Sequence, residues 1–106
     1  MASYALRYFF DYGAGVCLWS ASEDAYRRFG YPVALEHLPL APAIEQLAVG
    51  LLDRYDASLD WDDPTGPPVW SQQERDCFIR DSEKLLQQLR ACLGEEFHIK
   101  DERDIP

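Results

Sequence analysis

The side chains with the most chemical potential lie in one short segment, residues 55–71, with the sequence YDASLDWDDPTGPPVWS. They are four carboxylates and two indoles: Asp56, Asp60, Asp62, Asp63, Trp61 and Trp70. Clustered carboxylates can bind a hard cation, act as general acid and base, or attract a positively charged partner. The spacing of the residues decides among these chemistries.

The carboxylates do not have the spacing of a calcium loop. An EF-hand loop has oxygen ligands at positions 1, 3, 5 and 12, with glycine at position 6. Counted from Asp60, position 5 is Pro64 and position 6 is Thr65. We therefore expect no metal site in this segment.

No spacing in the chain singles out a catalytic group. Paired carboxylates occur in any acidic segment, and a chain of 106 residues has little room for a deep pocket around them. The sequence contains no glycine-rich phosphate loop, no GxSxG elbow and no HExxH zinc motif. We therefore expect a protein that is not an enzyme and carries no cofactor. A small enzyme is the alternative that a deep pocket with shifted pKa values would indicate.

The same residue types suit a surface that binds a basic protein. Indoles supply apolar contact area, and carboxylates attract Lys and Arg and accept charge-assisted hydrogen bonds from them. The candidate binding residues are Asp53, Asp56, Asp60, Trp61, Asp62, Asp63 and Trp70. In the alternative interpretation both tryptophans are core residues that hold the segment down, and the aspartates form turns and caps beside proline and glycine.

The charge distribution supports a basic partner. The net charge is −9. Residues 1–40 contain four acidic and three basic side chains, a net charge of −1, whereas residues 41–106 contain fifteen and seven, a net charge of −8. Such a field repels nucleic acid and anionic membranes, which bind through Lys and Arg, and it attracts a basic protein. Alternatively, the acidic excess only keeps the protein soluble.

Length and composition predict one domain, residues 1–106, with one modest core, because 47% of the residues are apolar. The apolar runs are too short for a membrane span, and the N-terminus lacks the pattern of a secretory signal. The three cysteines, Cys17, Cys77 and Cys92, have no CxxC spacing, and each lies in an apolar pattern. This usage predicts buried, reduced thiols in a cytoplasmic protein.

Hydrophobic periodicity predicts the elements that position the acidic segment. Period-two alternation predicts strands over 3–11 and 96–101. A short apolar run predicts a strand over 15–19, in the centre of the sheet and joined to the first as a hairpin through a glycine-containing turn. Residues 33–35 are a candidate for a further short edge strand. We expect the hairpin and the C-terminal strand to form a small antiparallel sheet.

Helical periodicity predicts three helices, over 21–29, 42–57 and 72–93. Ser20 and Ser71 are each followed three residues later by glutamate, which predicts capping boxes for the first and third helices. The predicted fold class is therefore α+β, with the small antiparallel sheet packed against three helices. Residues 64–68 contain three prolines and are excluded from a helix interior. Residues 102–106 are expected to fray.

Dispersed residues along nearly the whole chain resemble a known family. They are Gly15-Val16-Cys17-Leu18-Trp19-Ser20, Leu38-Pro39-Leu40, Tyr55-Asp56, Leu59-Asp60-Trp61, Trp70-Ser71, Leu93-Gly94 and Phe97. With them the chain resembles small acidic bacterial immunity proteins of polymorphic toxin systems, of the contact-dependent and Rhs type. The resemblance implies a stoichiometric inhibitor that binds a toxin domain and covers its active site. A structural or scaffold interaction domain without catalytic activity is the alternative.

Overall fold

The computed structural model describes residues 3–63, 65–66 and 69–103. The strands are β1 (Tyr4–Tyr8), β2 (Leu18–Ser20) and β3 (Phe97–Asp101), and the helices are α1 (Glu23–Phe29), α2 (Pro42–Ala57) and α3 (Gln72–Leu93). The α+β class is therefore confirmed, and α2 and α3 have the predicted bounds. The three prolines predicted to exclude a helix, at positions 64, 67 and 68, lie outside the described residues.

The three strands form one sheet in the order β2-β1-β3. β1 pairs with β2 in antiparallel orientation, as expected for the hairpin. β3 instead runs parallel to β1, with Tyr4 opposite Phe97 and Tyr8 opposite Asp101. The sheet is therefore mixed, and the prediction of an antiparallel sheet is wrong for the C-terminal strand. Alternation indicates which residues share a face of a strand, but it carries no information about strand direction.

The path of α3 sets the direction of β3. The hydroxyl of Tyr8 donates to the carbonyl oxygen of Ser82 at 2.9 Å, which places this part of α3 at the Tyr8 end of β1. After α3 ends, the amide of Ser3 donates to the carbonyl oxygen of Glu96 at 2.8 Å, at the opposite end of β1. The chain thus enters β3 beside Tyr4 and must run in the same direction as β1, with α3 as part of the crossover.

Side-chain caps confirm one predicted helix start and correct the other. The hydroxyl of Ser71 accepts from the amide of Glu74 at 3.1 Å, and the carboxylate of Glu74 accepts from the amide of Ser71 at 3.2 Å, so the predicted capping box is confirmed. The predicted cap at Ser20 is wrong, because Ser22 caps α1. Ser20 belongs to β2 and is buried, and its hydroxyl donates to the carbonyl oxygen of Gly30.

The predicted edge strand at residues 33–35 is also wrong. An isolated antiparallel bridge pairs Trp19 with Pro32, and the amide of Val33 donates to the carbonyl oxygen of Leu18 at 2.9 Å. Because Pro32 has no N–H, it cannot donate to a longer ladder. The chain then forms a 3₁₀ turn at Leu35–His37.

One core fills the space between the sheet and the helices. Its fully buried side chains come from both layers and include Leu6, Tyr8, Leu18, Leu51, Phe78 and Leu85. The predicted stripes of α2 and α3 therefore face this core. Helix α1 contributes Ala25, which is fully buried, and Phe29, which is partly buried.

The cysteines are all free, but they differ in burial. Cys17 is buried, and burial raises the pKa of its thiol to about 12. Cys77 and Cys92 are only half-buried. The prediction of buried thiols is thus correct for Cys17 and wrong for the two cysteines of α3, whose side chains lie at the margins of its apolar stripe.

The residues after β3 are held against α3, which corrects part of the predicted fraying. Arg103 has a side-chain exposure of only 14% and donates to Asp101 at 2.7 Å and to Glu83 at 2.6 Å. It also donates to the hydroxyl of Ser82 at 3.0 Å. These bonds hold the chain against α3 as far as Arg103. Residues 104–106, also predicted to fray, lie outside the described residues.

This cluster of charges predicts acid sensitivity. The hydrogen bond from Arg103 holds the pKa of Asp101 below its ordinary value, and hydrogen bonds from Gln87 and then Arg103 lower the pKa of Glu83. Both carboxyls bind fewer protons in the folded state than in the unfolded state. The stability they confer is therefore present above their ordinary pKa values and is lost as the pH falls through the folded-state values.

Replacing Arg103 by Ala is expected to lower the free energy of unfolding by about 1–3 kcal/mol at neutral pH, since two carboxylates lose a charged donor. The variant should also lose less stability than the wild type between about pH 5 and pH 3. Urea unfolding across this pH range measures both effects. Parallel pH profiles for the two proteins would contradict the assigned coupling.

Candidate protein-binding site

The end of α2 separates the candidate residues onto two flanks. With about 3.6 residues per turn, positions 54 and 56 point in nearly opposite directions. Asp56 lies on the flank that faces the connection between β1 and β2, where its carboxylate accepts from the amide of Gly13 at 2.9 Å. Arg54 lies on the flank that faces α3, where it forms an ion pair with Asp81 at 2.8 Å.

Trp61 is displayed at the surface on the Asp56 flank. The residue is 59% exposed. The indole N–H donates to the carbonyl oxygen of Asp56 at 3.0 Å, and the ring of Tyr12 meets the indole edge-on with a centroid distance of 6.4 Å. These contacts hold a large, exposed aromatic ring in one place. The alternative in which Trp61 is a core residue is therefore wrong.

The carboxylates around Trp61 have different surroundings. The carboxylate of Asp60 accepts from the amides of Asp62 and Asp63 at 3.0 and 3.3 Å, which closes the turn that carries Trp61. The carboxylate of Asp63 accepts from the hydroxyl of Thr65 at 3.2 Å. Asp60 therefore shapes the chain, as aspartate does in a turn.

Asp53 and Asp62 are the carboxylates most available to a partner. Both residues are exposed. Asp53 lies one helical turn before Asp56 on α2, and Asp62 follows Trp61 directly. Within the described part of the chain, neither carboxylate accepts a hydrogen bond, so both retain their capacity for an external cation.

Trp70 lies on the other flank, apart from Trp61. It is half-buried, and its indole packs against Phe78 with a centroid distance of 4.7 Å. With Arg54 and Cys77 it lines a cleft of about 300 Å³ between α2 and α3. The structure thus brings Trp61 and the aspartates to one region, and it places Trp70 beside α3.

Tyr12 lies beside Trp61, a neighbour that sequence reasoning missed. Its ring stacks on Tyr55 with a centroid distance of 4.4 Å, and its hydroxyl hydrogen-bonds the hydroxyl of Ser58 at 3.2 Å. The neighbouring residue Asp11 is exposed. Tyr12 lies more than forty residues from Asp56 in sequence, so no local spacing connects them.

The described residues contain no group of three or more His, Cys, Asp or Glu side chains placed to hold a metal ion. Within the same part of the chain, no helix is both long enough and apolar enough to cross a membrane. What the region around Trp61 presents is exposed aromatic surface among carboxylates, which is the chemistry of a protein-binding surface.

Residues 4–101, nearly the whole chain, match the family described as Serratia CdiI immunity protein-like. The chain belongs to this family. The predicted resemblance to immunity proteins of contact-dependent toxin systems is thereby confirmed. A search of curated proteins returned no match.

For this CdiI-like protein, membership of the family indicates a toxin as the class of partner.

The two tryptophans are expected to differ in their effect on stability. Replacing Trp61 by Ala should change the free energy of unfolding by no more than about 0.5–1 kcal/mol, because its ring mostly contacts solvent. Replacing Trp70 by Ala should cost about 2 kcal/mol or more, because its ring packs on the buried Phe78. Urea unfolding of both variants measures the difference. Equal losses would contradict the assignment of Trp61 to the surface.

Proposed function

We propose that this protein neutralises a basic toxin domain by binding it directly through the surface around Trp61. The residues proposed to form this surface lie at the end of α2 and in the turn that follows it: Asp53, Asp56, Asp60, Trp61, Asp62 and Asp63. Trp70 remains a predicted contact, at the cleft on the other flank of α2. The protein acts in this proposal without catalysis, as a stoichiometric inhibitor in the cytoplasm, where its free cysteines stay reduced.

The single observation that carries the proposal is the exposed indole of Trp61. A hydrogen bond to the carbonyl oxygen of Asp56 holds this indole in place, and carboxylates surround it. Trp61 is 59% exposed, so much of its apolar surface contacts water. A partner that covers this surface gains the free energy of burying it. Aromatic anchors of this kind contribute disproportionately to binding free energy in protein interfaces. The family supplies the class of partner, a toxin.

Electrostatics supports a basic face on that toxin. The net charge of −8 on residues 41–106 accelerates association with a cationic partner. Around Trp61, exposed carboxylates can accept charge-assisted hydrogen bonds from Arg or Lys once water is excluded. A neutral or acidic partner would have to meet these carboxylates without compensating charge, which disfavours binding.

The direct test is titration of the protein with a catalytically inactive variant of a candidate contact-dependent toxin domain, chosen by searching the genes adjacent to its own. We expect a complex of equal stoichiometry whose association rate falls as NaCl rises from about 0.05 M to about 0.5 M, because salt screens the attraction. Stopped-flow fluorescence measures the rate. Absence of binding, or an association rate that salt leaves unchanged, would contradict the proposal.

A matched pair of charge variants tests the location of the surface. Replacing Asp62 and Asp63 together by Asn is expected to weaken toxin binding about tenfold, mainly through slower association. The control replaces Glu95 and Glu96, two adjacent exposed acidic residues before β3, by Gln. It removes the same charge at another place, and its effect should be about twofold or less. Equal losses in both variants would mean that only net charge matters.

A further inference from the structure

Asp56 joins two segments that are distant in sequence. Its carboxylate accepts from the amide of Gly13, in the connection between β1 and β2, at 2.9 Å. Its carbonyl oxygen accepts from the indole N–H of Trp61 at 3.0 Å. This carbonyl lies in the last turn of α2 and also accepts from the amide of Leu59 at 3.3 Å, because the regular helical donors are missing at a helix end and other groups take their place. One residue therefore anchors both the connection and the exposed indole.

The aromatic ring of Tyr12 also contacts both the end of α2 and the indole of Trp61. It stacks on Tyr55 at 4.4 Å and approaches Trp61 edge-on at 6.4 Å, so it lies against both the core and the exposed indole. The hydroxyl of Tyr12 also hydrogen-bonds the hydroxyl of Ser58 at 3.2 Å, in addition to the ring stacking that positions Tyr12 at the end of α2.

The backbone of the connection is adapted to this contact. Gly13 has a φ of 73°, in the left-handed region that favours glycine. This turn directs the Gly13 amide toward α2. It also leaves Asp11 exposed beside Tyr12.

We propose that the toxin-docking surface is composite, formed by residues 11–13 together with residues 53–63, and that Asp56 is its positioning residue. This inference rests on the proposed function. The carboxylates then have two different roles. Asp56 and Asp60 hold the backbone, whereas Asp11, Asp53 and Asp62 face the partner.

The composite surface fits one kind of partner, a toxin segment that presents an Arg or Lys side chain. The face of an indole attracts a cation, and Trp is the strongest of the aromatic side chains in this respect. Trp61 is 59% exposed, its indole lies nearly perpendicular to the ring of Tyr12, and an exposed carboxylate, Asp62, follows it in sequence. A guanidinium stacked on Trp61 would meet both attractions at once, because Arg stacks on rings and bonds carboxylates.

Two substitutions at position 56 separate positioning from charge. In Asp56→Asn the side chain keeps an oxygen that can accept from Gly13 but loses the charge, and in Asp56→Ala both are lost. If Asp56 positions the surface, Asp56→Asn should bind the inactive toxin domain within about threefold of the wild type, and Asp56→Ala should bind about tenfold or more weakly. Glu45→Ala is the control, since it removes the same charge from the opposite end of α2, away from the proposed surface; its effect should be about twofold or less.

Hydrogen exchange of the Gly13 amide gives a readout that needs no toxin. In the free protein, exchange should accelerate about tenfold or more in Asp56→Ala and stay near the wild-type rate in Asp56→Asn. A second pair of variants tests the aromatic part. Tyr12→Phe should retain binding, because the ring stays, and Tyr12→Ala should lose about tenfold.

The outcomes separate this inference from the proposed function. If Asp56→Asn and Asp56→Ala weaken binding equally, Asp56 acts through its charge and the positioning role is overturned. If Trp61→Ala weakens binding while Asp56→Ala and Tyr12→Ala do not, the surface does not include the connection. If Trp61→Ala and the Asp62/Asp63 variant both bind as the wild type does, the proposed site itself is wrong.

Discussion

The hydrogen bond from the Tyr8 hydroxyl to the carbonyl oxygen of Ser82 joins the central strand to the longest helix. Tyr8 is fully buried, so its hydroxyl would cost desolvation free energy without a partner. Burial also raises the pKa of its phenol. Because this contact aligns α3 along β1, the chain leaves α3 at the Tyr4 end of the sheet. The parallel direction of β3 and the return of Arg103 to Ser82 follow from that alignment.

The same packing determines where the acidic segment can lie. Helix α3 packs on β3, and α2 packs on α3; between the two helices, the described residues 60–63, 65–66 and 69–70 are exposed or half-buried. The end of α2 lies against the connection between β1 and β2, where Tyr55 is sandwiched by aromatic rings, Phe10 at 5.5 Å and Tyr12 at 4.4 Å. Burying these rings stabilises the junction, and the acidic segment is thereby attached to the sheet as well as to the helices.

Family and geometry contribute different parts of the functional argument. Membership of the CdiI-like immunity family identifies a toxin as the class of partner. The geometry supports a surface and a chemistry for that contact: a fixed, exposed indole, carboxylates that shape the turn, and carboxylates that remain available to a cation. Trp70 illustrates the difference between composition and placement. It lies in the same acidic segment as Trp61, yet it packs against α3 and supports the core.

Much of this protein was determined by local sequence. The bounds of α2 and α3, the capping box of Ser71 and the α+β class follow from periodicity and capping chemistry, which act between residues a few positions apart. The direction of β3, the cap at Ser22 and the opposite placements of Trp61 and Trp70 were decided only by tertiary structure. Each depends on contacts between residues distant in sequence, such as Tyr8 with Ser82 or Gly13 with Asp56, and alternation or local spacing cannot encode which distant partner a side chain meets.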